Sequence, residues 1–340
     1  MNRIDWLNNS RIVAVFAVVM LHVSGIILVE KDFGSFDWWA GNLIDSSVRW
    51  SVPIFVMISG ALLLGAKEPI EIKTFYNKRL ARILYPLIFW SVFFLIWTCV
   101  KSQAKGDPIE FHSLFQRLIK GTPYYHMWFL YMIVPLYIFT PFLKKAVYSC
   151  SNVELNIFII STFTISIIFT ISETILAAVD SAIFISLFLQ YIPYFLIGYK
   201  INNDNTSPPS RLVWIVLTSS ILLTSVGYYW GIAYSNISIS GYFYSYLSIT
   251  VIPMSISVFY LLKKWNKPIF NYSFSSKISL LTLGVYLIHP AIIDIFRLLN
   301  FGPENFNPFF SVPALAILIV IIALTVCWVM SKTPFICKII

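Results

Sequence analysis

The sequence predicts an all-α, polytopic membrane protein of about ten transmembrane helices with both termini cytoplasmic. Three observations carry this. Of 340 residues, 58% are hydrophobic and only 11% charged, less than half the ~25% charge of a soluble globular chain. Apolar runs supply ten stretches near the ~20 residues a helix needs to cross a bilayer. The charges alternate in step with those runs: 17 of 24 Lys and Arg fall on the side of the N-terminus, while most of the 15 acidic residues fall on the other. By the positive-inside rule the N-terminal side is cytoplasmic. The net charge of +9 is therefore a topology signal. It excludes nucleic acid as a partner, and the hydropathy excludes a cytosolic enzyme or a disordered chain.

The expected spans are 10–29, 46–65, 83–100, 126–143, 155–173, 182–199, 212–231, 243–262, 279–298 and 310–331. The first has Arg11 ahead of its apolar run but no small-residue cleavage site after it, and His22 interrupts it, so it reads as a retained helix. Loop 30–45, with paired tryptophans among acidic residues, suits an interfacial segment on the outer side. Segment 101–125 contains IEFHSLFQRLIKG, whose helical apolar spacing predicts a short amphipathic surface helix with a solvated His112. Segment 202–210 is a polar turn. No soluble domain is appended, so 1–340 reads as a single membrane domain. Cys99, Cys150, Cys327 and Cys337 have no paired spacing, so neither a disulfide framework nor a metal site is expected. No phosphate-binding loop, dinucleotide glycine pattern or HExxH motif occurs.

Ionisable groups inside a span are expensive to bury and mark functional candidates. Arg11 and His22 are eleven residues apart, about three helical turns, so they share a face with ~16 Å between them along the axis. Arg11 is then at the cytoplasmic entrance and His22 near mid-membrane. Arg79 and Arg82, three apart in YNKRLARILYP, share a face at the cytoplasmic start of the third span. Together with Lys78 and Arg11 they would form a cationic funnel suited to a ligand with several phosphates. The alternative is plain positive-inside charge, which is the favoured reading for Lys78, whereas function is favoured for Arg82, which opens an apolar run. Counting inward along the second span and outward along the ninth puts Ser59 and His289 at the depth of His22. Helix packing through Gly60 is the bland alternative for Ser59, and a polar contact beside the Pro290 kink is that for His289. His126 and Trp128 in TPYYHMWFLY resemble an aromatic belt and equally a sugar-stacking platform, which makes them acceptor-site candidates. Arg49 either pairs with Asp45 one turn away or faces a glycan. Asp294 and Arg297, three apart, read as a structural pair.

These residues resemble a known family. Arg11, ten residues, then His22 is similar to the signature of the acyltransferase-3 family of integral membrane enzymes. SVPIFVMISGALL, RLARILYP, HMWFLYMIVPLYIFTPFL and LGVYLIHP also look like family segments, in order from the second span to the ninth. The size resembles the stand-alone members that acetylate surface polysaccharides. The resemblance implies transfer of an acyl group, most often acetyl, from cytoplasmic acyl-coenzyme A to a glycan hydroxyl, in the inner membrane of a bacterium. Acetyl-CoA is then the donor, a polyprenyl-linked or surface glycan the acceptor, and membrane lipid the surroundings, with a homo-oligomer left open. On this reading Arg11, Arg79 and Arg82 bind the donor's phosphates. His22 is the general base, or else His22 or Ser59 carries the acyl group covalently. The rival from the residues alone is a transporter or flippase of a lipid-linked saccharide, although repeat symmetry is not visible.

Overall fold

The computed structural model describes residues 5–66, 71–175, 184–204, 206–235 and 237–340. These form thirteen α-helices and, among the described residues, no strands: α1 (Asp5–Glu30), α2 (Phe36–Val48), α3 (Ser51–Leu63), α4 (Ile72–Lys105), α5 (Phe111–Ile119), α6 (Trp128–Ser149), α7 (Asn152–Thr174), α8 (Phe184–Asn203), α9 (Ser210–Trp230), α10 (Ile237–Tyr244), α11 (Val251–Lys264), α12 (Tyr272–Leu298) and α13 (Pro308–Ser331). Eight segments among the described residues are long and apolar enough to cross a membrane, with α2 and α3 counting as one. The protein is an all-α polytopic membrane protein.

Helix α1 packs against α2, α3, α11, α12 and α13. It is therefore the centre of the bundle, which is why it is apolar nearly all round and why its polar residues face protein instead of lipid. Connections on one side bond to one another, as alternating spans require. Asn9 donates to the Lys267 carbonyl (2.7 Å), Lys144 to that of Ala66 (2.6 Å) and Lys263 to that of Asp204 (2.7 Å). On the opposite side Arg297 joins α12 to the end of α1 through Glu30.

Three expectations change. Segment 30–45 is not wholly an interfacial loop: from Phe36 it is helical, and Trp38 is buried. Its polar residues are satisfied within the bundle, Asn42 donating to the Ser225 carbonyl (3.0 Å) and accepting from the Tyr244 hydroxyl (2.7 Å). The second span thus starts earlier and is broken at Arg49 and Trp50. Pro53, in the first turn of α3, has no N–H to give the carbonyl four residues back.

The expected span 243–262 is likewise two pieces. Helix α11 has fourteen residues, ~21 Å, short of a ~30 Å hydrocarbon core. The turn before it is stabilised by hydroxyls: Ser248 Oγ accepts from the Val251 N–H and meets Thr250, which also bonds Thr224. Side-chain hydroxyls commonly satisfy an interrupted helix in this way. The span expected over 182–199 begins on residues outside those described and continues as α8. Helix α4 starts at Ile72, eleven residues before the expected span, so Arg79 and Arg82 stand on a helical extension of it. Helix α5 forms as expected, with no residue buried and His112 exposed beside Gln116.

Candidate active site

On the side of the N-terminus, α1, α3, α4, α6 and α12 enclose a cavity of about 210 Å³. Arg11 enters from α1, Arg79 and Arg82 from α4, Ser59 from α3, Tyr137 from α6, and Ser279 and Tyr286 from α12. The other walls are Thr282 and Phe, Leu and Ile side chains, and no carboxylate lines the cavity. Arg11 Nη1 reaches Ser279 Oγ at 3.4 Å. Arg11, Arg79 and Arg82 have no ion-pair partner among the described residues. Unneutralised cations above apolar walls suit a ligand with phosphates at one end and an apolar arm at the other.

Three histidines form a layer beyond this cavity. The His22 and His289 rings stack, with centroids 5.2 Å apart and planes 26° from parallel, and His126 meets His289 edge-on at 5.5 Å. Tyr286, a wall of the cavity, lies 5.3 Å from the His126 ring, and its hydroxyl donates to the His126 carbonyl. Tyr286 and His289 are three residues apart, so one turn of α12 joins cavity to histidine layer. Nδ1 of His289 bonds the Val285 carbonyl at 3.2 Å. Nε2 of His289 and both ring nitrogens of His126 are buried with no hydrogen-bond partner among the described residues. Asp5, Ser51, Gln190 and Glu304 also have a buried polar atom without a partner among the described residues, so the feature is not confined to this layer.

A second cavity, about 390 Å³, opens on the far side of the layer, with His22, Gly25 and Glu30 of α1, Tyr125, and Asp294 and Arg297 of α12 among its walls. His22 is half-buried and thus keeps part of its surface toward this space.

The sequence-derived candidates divide accordingly. Arg11, Arg79 and Arg82 meet in one cavity, and His22 and His289 are in ring contact. Ser59 shares the arginine cavity but not the histidine layer: its hydroxyl donates to the Phe55 carbonyl (2.9 Å) and meets the Tyr137 hydroxyl (3.1 Å). Although α1 and α3 adjoin, no hydrogen bond joins Ser59 to His22 among the described residues.

His126 is not in a lipid-facing belt. It precedes α6, in a turn closed by Met127 N–H to the Tyr124 carbonyl (3.0 Å), and is 1% exposed. Trp128 packs on Tyr191 and Tyr246, each 5.7 Å away, and lines neither cavity. Arg49 takes the first of its two readings: Nε bonds Asp45 Oδ1 at 2.6 Å, and the guanidinium stands 3.8 Å over the Tyr244 ring.

The Asp294 and Arg297 pair expected along one helix does not form. Arg297 pairs with Glu30 (2.6 Å), while Asp294 Oδ2 accepts from Trp97 (2.7 Å), Lys101 (2.8 Å) and Tyr124 (2.5 Å). Partners on other elements outcompete a same-helix pair worth only ~0.2–0.5 kcal/mol. The sequence reading missed Tyr286, Tyr137, Tyr125 and Glu30. Only Tyr286 carried a signal, one turn before His289 on the same face.

Fold and site together define a multi-pass membrane protein whose polar groups run through the bundle as arginines, then histidines, then a charge-balanced outer cavity. The chain belongs to the acyltransferase-3 family: the family's profile, described as an acyltransferase domain, matches residues 4–332. The protein is an acyltransferase. No curated protein matches the chain, and no solved structure does.

Proposed function

We propose that the protein transfers an acyl group, acetyl in the first instance, from cytoplasmic acyl-coenzyme A to a hydroxyl of a polyprenyl-linked or surface glycan. On this reading it sits in the inner membrane of a bacterium, as the stand-alone polysaccharide-modifying members of its family do. The observation that carries the proposal is the cavity holding three arginines and no carboxylate directly beneath the histidine layer. Arg11, Arg79 and Arg82 bind the donor's phosphates by charge-assisted hydrogen bonds, and the apolar walls take its arm. The basic residues of that side make it the cytoplasmic one.

His22 acts as general base. Its neutral ring accepts the proton of the acceptor hydroxyl as that oxygen attacks the thioester carbonyl carbon. The new C–O bond forms, the C–S bond breaks, and the proton passes from His22 to the departing thiolate. The products are an O-acyl sugar and the free thiol of coenzyme A. His289 supports the His22 ring by stacking. Direct transfer is favoured over an acyl-serine because the Ser59 hydroxyl has Tyr137 and a backbone carbonyl as partners, and neither is a strong base.

The test is the O-acetyl content of surface glycans, read by proton NMR in cells with the wild type, with His22→Ala or with no copy. Acetyl signal with the wild type alone is expected. Identical spectra in all three, with each protein confirmed in the membrane, would refute the proposal.

A further inference from the structure

The two cavities differ in charge as well as in side. The inner one has three unneutralised arginines. The outer one has Glu30, Asp294 and Arg297 in its wall, and Lys101 sits on Asp294 at 2.8 Å, so two carboxylates face two cations and the charges cancel. A polyphosphate is drawn to the first and not to the second. What a charge-balanced cavity with carboxylate, guanidinium and aromatic groups does recognise is an uncharged polyhydroxylated ring. Carboxylates accept from its hydroxyls, a guanidinium donates to them, and an aromatic face covers its C–H surface.

We infer that the outer cavity between α1 and α12 is the acceptor subsite and binds an uncharged sugar unit, with Glu30, Arg297 and Asp294 on its hydroxyls, Tyr125 against its ring and one hydroxyl delivered to His22. This rests on the acyl transfer proposed above and adds where the acceptor binds and of what kind it is. The parts are arranged for the task. Tyr125 is 46% exposed, and its ring lies 4.8 Å from that of His22, so a stacked sugar is held beside the base. Glu30 and Arg297 meet through Oε1 and Nη2 only, which leaves Oε2 and Nη1 for hydroxyls. Their side chains are 39% and 50% exposed, so a ligand in the cavity can reach them, and a pair so exposed adds little to stability. All three donors to Asp294 converge on Oδ2, fixing the carboxylate while Oδ1 takes none of those bonds. The volume of about 390 Å³ falls within the ~300–1,000 Å³ of small-molecule sites.

Gly25 gives a place to add one methyl group at the wall of the subsite without breaking the fold. It lines the cavity one turn beyond His22, and a Cβ built there meets nothing nearer than Asp45 Oδ2 at 4.0 Å, an ordinary contact. The experiment uses the full chain in lipid nanodiscs, radiolabelled acetyl-CoA, and methyl glycosides of glucose, galactose and N-acetylglucosamine as acceptor probes, with mass spectrometry of the products. The wild type is expected to acetylate at least one glycoside. Gly25→Ala and Glu30→Gln should each raise the apparent KM for that glycoside about threefold, with the acetyl-CoA KM unchanged in both. Unchanged glycoside KM in both variants, an equal rise in the acetyl-CoA KM, or acetylation of nanodisc lipid but of no glycoside would each overturn the inference while leaving acyl transfer standing. A wild type that consumes no acetyl-CoA overturns the underlying reading, and this inference with it.

Discussion

Arg11 and Arg49 are partly buried in the bundle, whereas Arg79 and Arg82 are exposed residues in the wall of the inner cavity. The surroundings of these four arginines separate them into two kinds. Arg49 is fully engaged: Asp45 holds it through Nε and Nη2, the Tyr244 carbonyl accepts from Nη1 at 3.1 Å, and Ser24 bonds the same Asp45 at 3.2 Å. Its charge is cancelled inside the protein, and it ties α2 to α1 and to the segment around Tyr244. Arg11, Arg79 and Arg82 line a cavity that offers them hydroxyls and no carboxylate. A buried cation with its own anion belongs to the structure, whereas the three arginines without a carboxylate are what the proposed donor phosphates would need. The same contrast separates the inner cavity, which accumulates positive charge, from the outer one, which cancels it.

The largest expected effect falls at the junction of the two cavities. His22→Ala should lower transfer about 10²–10⁴-fold, the usual contribution of a general base, with expression and thermal stability near those of the wild type. A radiolabelled acetyl-transfer assay on purified protein checks this, and near-normal turnover would remove His22 from the chemistry. Next comes Asp45→Ala, which strands Arg49 and should destabilise the fold by about 3–5 kcal/mol, read as a lowered midpoint of thermal unfolding in detergent. Pairing Asp45→Leu with Arg49→Met should restore much of that loss, because a buried ion pair replaced whole by apolar groups is often neutral. If instead Asp45→Ala is stable and fails only in catalysis, Arg49 belongs with the functional arginines.

What the sequence made legible follows from what periodicity can encode. Arg79 with Arg82 and the amphipathic α5 are relations within one helix that the structure has, while Arg11 and His22 stand on one unbroken helix and line different cavities. The meeting of His22 with His289 followed from counting depth along two apolar runs of opposite direction, which works because helical rise is constant. His126 was misplaced because it sits in an irregular turn that dips inward ahead of α6, and no period describes a turn. The partners of Asp294 lie on α4 and on that same turn, so spacing along α12 gave no sign of them. The breaks at Arg49 and after Tyr244 were hidden because proline and hydroxyl residues interrupt helices without lowering hydropathy enough to divide a span.

A smaller effect is expected at the arginine cavity. Arg82→Ala should raise the acetyl-CoA KM about tenfold, the scale of one charge-assisted hydrogen bond, while changing kcat less. Arg82→Lys should recover part of it, since a phosphate accepts an ammonium as a point charge. Steady-state kinetics over a range of donor concentration checks both. An unchanged donor KM would mean that Arg82 is positive-inside charge and nothing more, which would leave Arg11 and Arg79 to hold the phosphates.

The smallest predicted effect decides between two chemistries. If the acyl group travelled on Ser59, Ser59→Ala would remove the nucleophile and cost transfer as much as the loss of His22 does. The geometry argues against that. The Ser59 hydroxyl donates to the Phe55 carbonyl at 2.9 Å, its other contact is the Tyr137 hydroxyl at 3.1 Å, and no histidine hydrogen-bonds to it among the described residues. Direct transfer therefore predicts that Ser59→Ala loses no more than about threefold in kcat, the effect of one neutral hydrogen bond in a cavity wall. Rapid-quench experiments with radiolabelled acetyl-CoA and no acceptor should find no label on the protein. Labelled protein that disappears in Ser59→Ala would reverse the assignment and extend the catalytic centre from the histidine layer into the arginine cavity.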